Sequence, residues 1–320
     1  MKIALAGKGG VGKTFIAANL AKLFAGQKQS EPPVGTVALD RPPALDRPPA
    51  TATPPVGTVA LDRPPALGHP PSPTPPPSLV YAEHTIQVGQ VYALDADPIG
   101  GLGAALGLTQ AEIDGVKPIV DMREFIEPGK DDGDLYLSAP DVDNVGGRYS
   151  TLADGINFLR MAYIKQAGAE CYCHEHGFLQ ALIKSMLLAN NDILILDMSA
   201  GIEHLTRGAI KGADVLLIVS EATRACIEAT KIIRTLGADL GVPRIYVVAN
   251  KIRSEKEELL IRASFRRGEL IGLVRMSEAV SDMAIGVGAS RRQKTYKPSA
   301  DIEELFNQLI SISYLPYKKY

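Results

Sequence analysis

The 320-residue chain has no tryptophan, only three cysteines and almost no net charge, −2 from 34 basic and 36 acidic side chains. Near-neutral charge excludes sequence-independent nucleic-acid binding, which needs a strongly basic surface. Three cysteines, an odd number, do not make a disulfide framework. In a reducing compartment they stay thiols or bind metal, and a cytoplasmic protein is expected. No apolar run approaches the roughly 20 residues of a membrane span. The first residues do not read as a signal peptide, because Lys8 and the glycines around it interrupt the apolar stretch. What the sequence has in plenty is proline, 23 residues, most of them in one place.

That place is 29–78. Val34 to Leu45 recurs almost verbatim as Val56 to Leu67, and Leu-Asp-Arg-Pro-Pro-Ala occurs at 39–44, 45–50 and 61–66. Prolines this dense cannot feed a sheet ladder or a helix interior. Polyproline II or disorder is the physical expectation, with an SH3-like groove as a conceivable partner. The tract reads as a repetitive insertion, tolerated because loop length costs stability only logarithmically. The remainder, 1–28 and 79–320, is long enough for a single domain.

Within that remainder, continuous apolar runs at 91–94, 135–137, 193–196, 215–219, 245–249 and 270–274 predict strands, several of them covered on both faces. Helical spacing falls at 15–23, 178–188, 224–240 and 255–266. Alternation of this kind implies an α/β fold with a doubly wound, mostly parallel sheet, and ligands at the carboxyl ends of its strands.

Gly7-Lys8-Gly9-Gly10-Val11-Gly12-Lys13-Thr14 fits the pattern G-x-x-x-x-G-K-[ST] of a phosphate-binding loop, set between an apolar strand and a helix. Glycines let the backbone fold round phosphate oxygens with several N–H groups pointing inward. The helix start adds a favourable dipole. Lys13 would neutralise the β- and γ-phosphates of a nucleoside triphosphate, and the Thr14 hydroxyl would ligate Mg²⁺. Gly9, Gly10, Val11, Gly12, Lys13, Thr14 and Phe15 are therefore the candidate nucleotide contacts.

Three further places lie where such a sheet presents its ligands. Val91-Tyr92-Ala93-Leu94 runs into Asp95-Ala96-Asp97-Pro98. Of two carboxylates at i and i+2, one can hold Mg²⁺ through water and the other can orient an attacking water, or both can simply fold a turn before Pro98. Ile193 to Leu196 ends in Asp197, four apolar residues and a terminal aspartate, the Walker B pattern. Ser199-Ala200-Gly201 then suits a γ-phosphate-sensing switch. Asn250-Lys251, at the end of another strand, resembles a base-recognition turn. Arg253 stands where GTPases place a guanine-reading aspartate, so ATP is favoured.

Cys171-Tyr172-Cys173 offers two thiols that project the same way in an extended chain and can chelate one soft metal ion. Two ligands do not complete a four-coordinate site; a symmetric dimer would bring four thiolates to its two-fold axis. His174 and His176 are further candidates, and two buried thiols with two solvated histidines is the alternative. Cys226 sits in a helical pattern and reads as core. His204, just past Asp197, suits either a switch or a structural hydrogen bond.

The stretch Lys8 to Thr14 resembles the deviant Walker A motif of the MinD/ParA class of dimerising ATPases. Within that class, Met1 to Gly7, the Cys171-Tyr172-Cys173 pair, and Asp197-Met198-Ser199-Ala200-Gly201-Ile202-Glu203-His204-Leu205-Thr206-Arg207-Gly208 are similar to CooC-type nickel-insertion ATPases, which mature carbon monoxide dehydrogenase. The resemblance implies a homodimer that binds ATP and Mg²⁺. In it Lys8 reaches the partner's phosphates, Asp97 activates water with Asp95 as its companion, and Cys171 and Cys173 bind Ni²⁺ or Zn²⁺ for delivery to a client metalloenzyme. Two departures stand out: Phe15 replaces a threonine expected to contact the α-phosphate, and Ser199 replaces a glycine in the switch. The alternative is a MinD/ParA-like positioning ATPase that acts on a membrane or scaffold, for which the amphipathic stretch 302–312 is the candidate contact. An iron–sulfur electron-transfer ATPase fits less well, since its cluster cysteines would lie far apart in sequence.

Overall fold

The computed structural model of the chain describes residues 1–27, 88–97, 100–119, 126–128, 135–137, 149–161, 191–202, 205, 208–277 and 298–313. The chain divides into two units, Met1–Ser30 with Ile86–Tyr320 and Glu31–Thr85, and every described residue belongs to the first. The proline tract and the helix expected over 178–188 lie outside the described residues.

In chain order the described elements are β1 (Lys2–Ala6), α1 (Lys13–Gln27), β2 (Val91–Asp95), α2 (Leu102–Leu106), α3 (Gln110–Gly115), β3 (Ile126–Pro128), β4 (Leu135–Leu137), β5 (Ser150–Ala153), β6 (Ile156–Arg160), β7 (Ile193–Asp197), β8 (Val215–Ser220), α4 (Arg224–Asp239), β9 (Arg244–Ile252), α5 (Glu255–Ser264), β10 (Leu270–Arg275) and α6 (Ala300–Ser313). Eight strands make one sheet in the order β10-β9-β8-β1-β7-β2-β6-β5. All its pairs are parallel except β5 with β6. The doubly wound, mostly parallel sheet expected from the sequence is present.

The apolar runs are continuous because the pleat sends alternate residues to two covered faces. From β1, Ile3 and Leu5 join Ile16, Leu20 and Phe24 of α1 and Leu305 and Phe306 of α6. Ala4 and Ala6 face the other way, with Leu194, Leu196, Ile210 and Ile233. Phe24 and Phe306 meet edge to face, ring centroids 4.8 Å apart. The stretch 302–312 is thus explained: Ile302, Leu305, Phe306, Leu309 and Ile310 are buried, so the apolar stripe of α6 closes the sheet and leaves no free amphipathic face. No helix among the described residues is long and apolar enough to cross a membrane.

Three details differ from the expectations. The strands β2 and β7 include Asp95 and Asp197 rather than stopping before them. Leu135–Leu137 pairs antiparallel with Ile126–Pro128 in a separate two-stranded sheet, because two short strands close in sequence satisfy each other. The hairpin of β5 and β6 has no counterpart among the apolar runs; it turns at Asp154 and Gly155, both at positive φ, as a tight hairpin turn requires.

Candidate active site

Residues 7–12 leave the carboxyl end of β1 and enter α1 at Lys13. Two of the glycines are sterically obligatory. Gly7 has φ +151°, and a Cβ there would overlap the carbonyl oxygen of Val219. Gly12 has φ +93°, and its Cβ would overlap the side-chain amide of Asn250. Lys13 is buried, with Nζ donating to the carbonyls of Gly7 and Lys8 at 3.3 Å each. Burial lowers its pKa, while the charges of Asp197 and Asp97 pull it back up. Lys8 is exposed, and its ammonium has no partner among the described residues.

Asp95 and Asp197 are register neighbours on β2 and β7, and Leu5 of β1 lies beside Asp197. Their carboxylates do different things. Asp95 accepts from the backbone N–H of Asp97 at 3.2 Å on one oxygen, and from those of Gly101 and Leu102 at 3.0 Å each on the other. It therefore folds the turn between β2 and α2 and sets where Asp97 stands; of the two roles read from the sequence, the turn is the one its bonds serve. Burial raises its pKa against those three N–H bonds, and the charge of Asp97 adds to the rise. Asp97 itself is half-exposed beside Lys13, and its carbonyl accepts from Gly100 N at 3.0 Å.

Asp197 is almost wholly buried. Burial pushes its pKa up to about 7; a hydrogen bond from the Thr14 hydroxyl opposes this, Asp95 adds to it, Lys13 opposes it and Asp97 adds again. Its Oδ1 is buried without a hydrogen-bond partner among the described residues. A buried carboxylate oxygen with no donor costs free energy. An oxygen-only set of this oxygen, the Thr14 hydroxyl and solvent is the donor chemistry that a hydrated Mg²⁺ takes, so the residues present fit that ion.

The segment after β7 lies against the loop. Met198 N donates to Leu5 O at 3.2 Å, and a Cβ on Gly9 would come 3.6 Å from Cβ of Ala200. Ala200 thus stands close to the loop at Gly9.

Asn250 and Lys251 differ from the expectation. The strand β9 runs through them to Ile252, and both side chains are committed to the loop backbone: Asn250 Nδ2 donates to Val11 O at 2.8 Å and Lys251 Nζ to Gly10 O at 2.5 Å. Lys251 also pairs with Glu221 at 2.8 Å. Glu221 is not among the residues singled out in the sequence; its signal was an acidic residue directly past the strand β8, which ends at Ser220. Phe15 is half-buried against the apolar cluster on the α1 face and carries no hydroxyl for a phosphate. Cys226 is buried on α4. Cys171, Cys173, His174, His176 and His204 lie outside the described residues.

No family model matches the sequence. Among curated proteins, an uncharacterized ATP-binding protein of Methanocaldococcus jannaschii is 28% identical over 317 residues, 98% of each chain. The carbon monoxide dehydrogenase accessory protein CooC of Rhodospirillum rubrum is 30% identical over 195 residues, covering 60% of this chain and 74% of that protein. Among solved structures, the MinD cell division protein of Aquifex aeolicus superposes with a TM-score of 0.53 at 17% identity, over 99% of both chains.

Proposed function

We propose that this protein, which belongs to the MinD/ParA-type P-loop ATPase family, is a CooC-type ATPase that carries nickel to a client metalloenzyme, carbon monoxide dehydrogenase. The observation that carries the reading is the 30% identity with the accessory protein of Rhodospirillum rubrum, joined to the Cys171-Tyr172-Cys173 pair. The alternative is a positioning ATPase acting on a membrane or a partner scaffold; its membrane arm loses the candidate contact at 302–312, since the apolar stripe of α6 is buried.

In this reading the loop amides of 9–14 cradle the phosphates of ATP, and Lys13 gives up its two weak bonds to loop carbonyls to neutralise the β- and γ-oxygens. Thr14 and Asp197 would hold Mg²⁺, which when bound supplies charge neutralisation at the phosphates. Asp97, held by the turn that Asp95 folds, orients the attacking water. Lys8, exposed and without a partner among the described residues, crosses to the phosphates of a second copy. ATP thereby closes a homodimer, the four cysteines gather the Ni²⁺ or Zn²⁺ cargo, and hydrolysis reopens the dimer for release.

The test is nickel titration with native mass determination on the wild type and on Cys171→Ser. One metal per two chains is expected for the wild type, with metal favouring the dimer because only the dimer offers the full site. Cys171→Ser should lose the metal and keep ATP binding. One metal per single chain, with no change of assembly, would reject the shared site; unchanged binding in Cys171→Ser would reject the nickel reading altogether.

A further inference from the structure

We infer that Lys251 and Glu221 form a latch that orients the backbone amides of the phosphate loop, and that they are positioning residues for ATP turnover rather than readers of the base. This rests on the ATPase reading alone and stands apart from the nickel proposal.

The first observation is a bulge. On β9, Ala249 pairs with Leu273 and Ile252 with Arg275 of β10. Three steps along β9 thus oppose two along β10, leaving one extra residue at Asn250-Lys251. Bulges beside active sites re-aim side chains. In a regular strand residues 250 and 251 would point to opposite faces; here both reach the loop, Asn250 to Val11 O and Lys251 to Gly10 O.

The second observation is backbone strain. Lys251 has φ +58°, uncommon for a side chain of its size. Asp154, the other described non-glycine residue at positive φ, sits in a hairpin turn that calls for it. Lys251 lies at the bulge, where a left-handed residue is ordinarily glycine. Strain of this kind persists only where the surroundings over-determine it, and what surrounds Lys251 is the Gly10 carbonyl and the half-buried carboxylate of Glu221.

The consequence follows from peptide geometry. In a trans peptide the C=O and the next N–H point in opposite directions. Holding Gly10 O and Val11 O against β9 turns the N–H groups of Val11 and Gly12 away from it, where they can donate to an anion. Glu221, directly after Ser220 of β8, fixes the ammonium. It does so one strand over from β1, where Val219 O abuts Gly7.

The test measures affinity for three probes, AMPPNP, GMPPNP and inorganic tripolyphosphate, in wild type, Lys251→Met, Glu221→Gln, the double variant and Lys251→Gly. A latch acts on phosphate whatever the base. Lys251→Met should therefore weaken all three probes by one common factor of about tenfold or more, the size expected for loss of a charge-assisted bond. KM for ATP should rise more than kcat falls. Lys and Glu act as one unit, so the double variant should bind no more weakly than Lys251→Met. Lys251→Gly relieves the positive φ while removing the ammonium: it should remain folded and still bind tripolyphosphate poorly. A loss confined to AMPPNP, with tripolyphosphate unchanged, would make Lys251 a base contact and overturn the proposal. So would changes within twofold for all probes, additive losses in the double variant, or full binding in Lys251→Gly.

Discussion

Asp197 gives the sharpest test of the site's electrostatics. Its carboxyl has a pKa near 7 in the folded protein against an ordinary value of 3.8. At about 1.4 kcal/mol per unit of pKa, that rise amounts to roughly 4 kcal/mol. The sign works against stability at neutral pH. Below about pH 4 the group is protonated in folded and unfolded chains alike. Between pH 4 and 7 the folded protein holds a proton that the unfolded chain has lost, so stability falls as pH rises; above pH 7 the full deficit is present. Asp197→Asn removes the charge at every pH. It also puts an amide where Oδ1 has no partner, and an unpaired buried donor costs about 1–3 kcal/mol. The variant should thus be more stable than wild type by about 2 kcal/mol at pH 8, from these two terms, and less stable at pH 4.5, so that the two curves cross between. Urea unfolding of the nucleotide-free protein in chelator, followed by far-UV circular dichroism because the chain has no tryptophan, reads this directly. A variant whose stability runs parallel to wild type across that pH range, or lies below it at pH 8, would refute the assignment of a buried, charge-penalised Asp197.

Lys13→Ala should abolish ATP turnover, while Asp97→Ala should keep AMPPNP affinity and lose about 100-fold or more in phosphate release, the range of a water-positioning group; full activity in either variant would remove it from the mechanism. Deleting Ser30 to Ser78 should leave ATPase activity within a few-fold and the melting temperature little changed, since so proline-dense a tract adds little to a sheet or helix. A deletion variant that fails to fold would make the tract part of the domain.

The sheet was legible because its strands carry the simplest signal a sequence has. Ile193 to Leu196 and Val215 to Val219 are apolar at every position, short and rich in Ile and Val, as a strand covered on both faces asks. The hairpin at 150–160 was less so: Ser150, Thr151 and Asn157 dilute the apolar run, and the signal was the Asp154-Gly155 turn between the halves. The loop at 7–14 was legible as a string because its glycines answer local steric demands. The division of labour between Asp95 and Asp97 was not, since it depends on where the N–H groups of Gly101 and Leu102 fall. Nor was the role of Lys251: the bulge that turns it onto the loop is a matter of register between β9 and β10, and register is a property of two segments at once.

The strand order has a consequence for how the protein is made. The strand β1 and its loop leave the ribosome well before the two strands that flank β1: Lys2 pairs with Leu194 and Ile3 with Val215. Closing a contact across about 190 residues is slow, because its entropy is lost before the pairing repays it. During that interval β1 has two bare edges, and its apolar side chains stand open to wrong partners. A ribosome-bound chain stalled before β8 should therefore bind no ATP even though its phosphate loop is complete, and nucleotide capture should mark the moment when β7 and β8 close on the first strand.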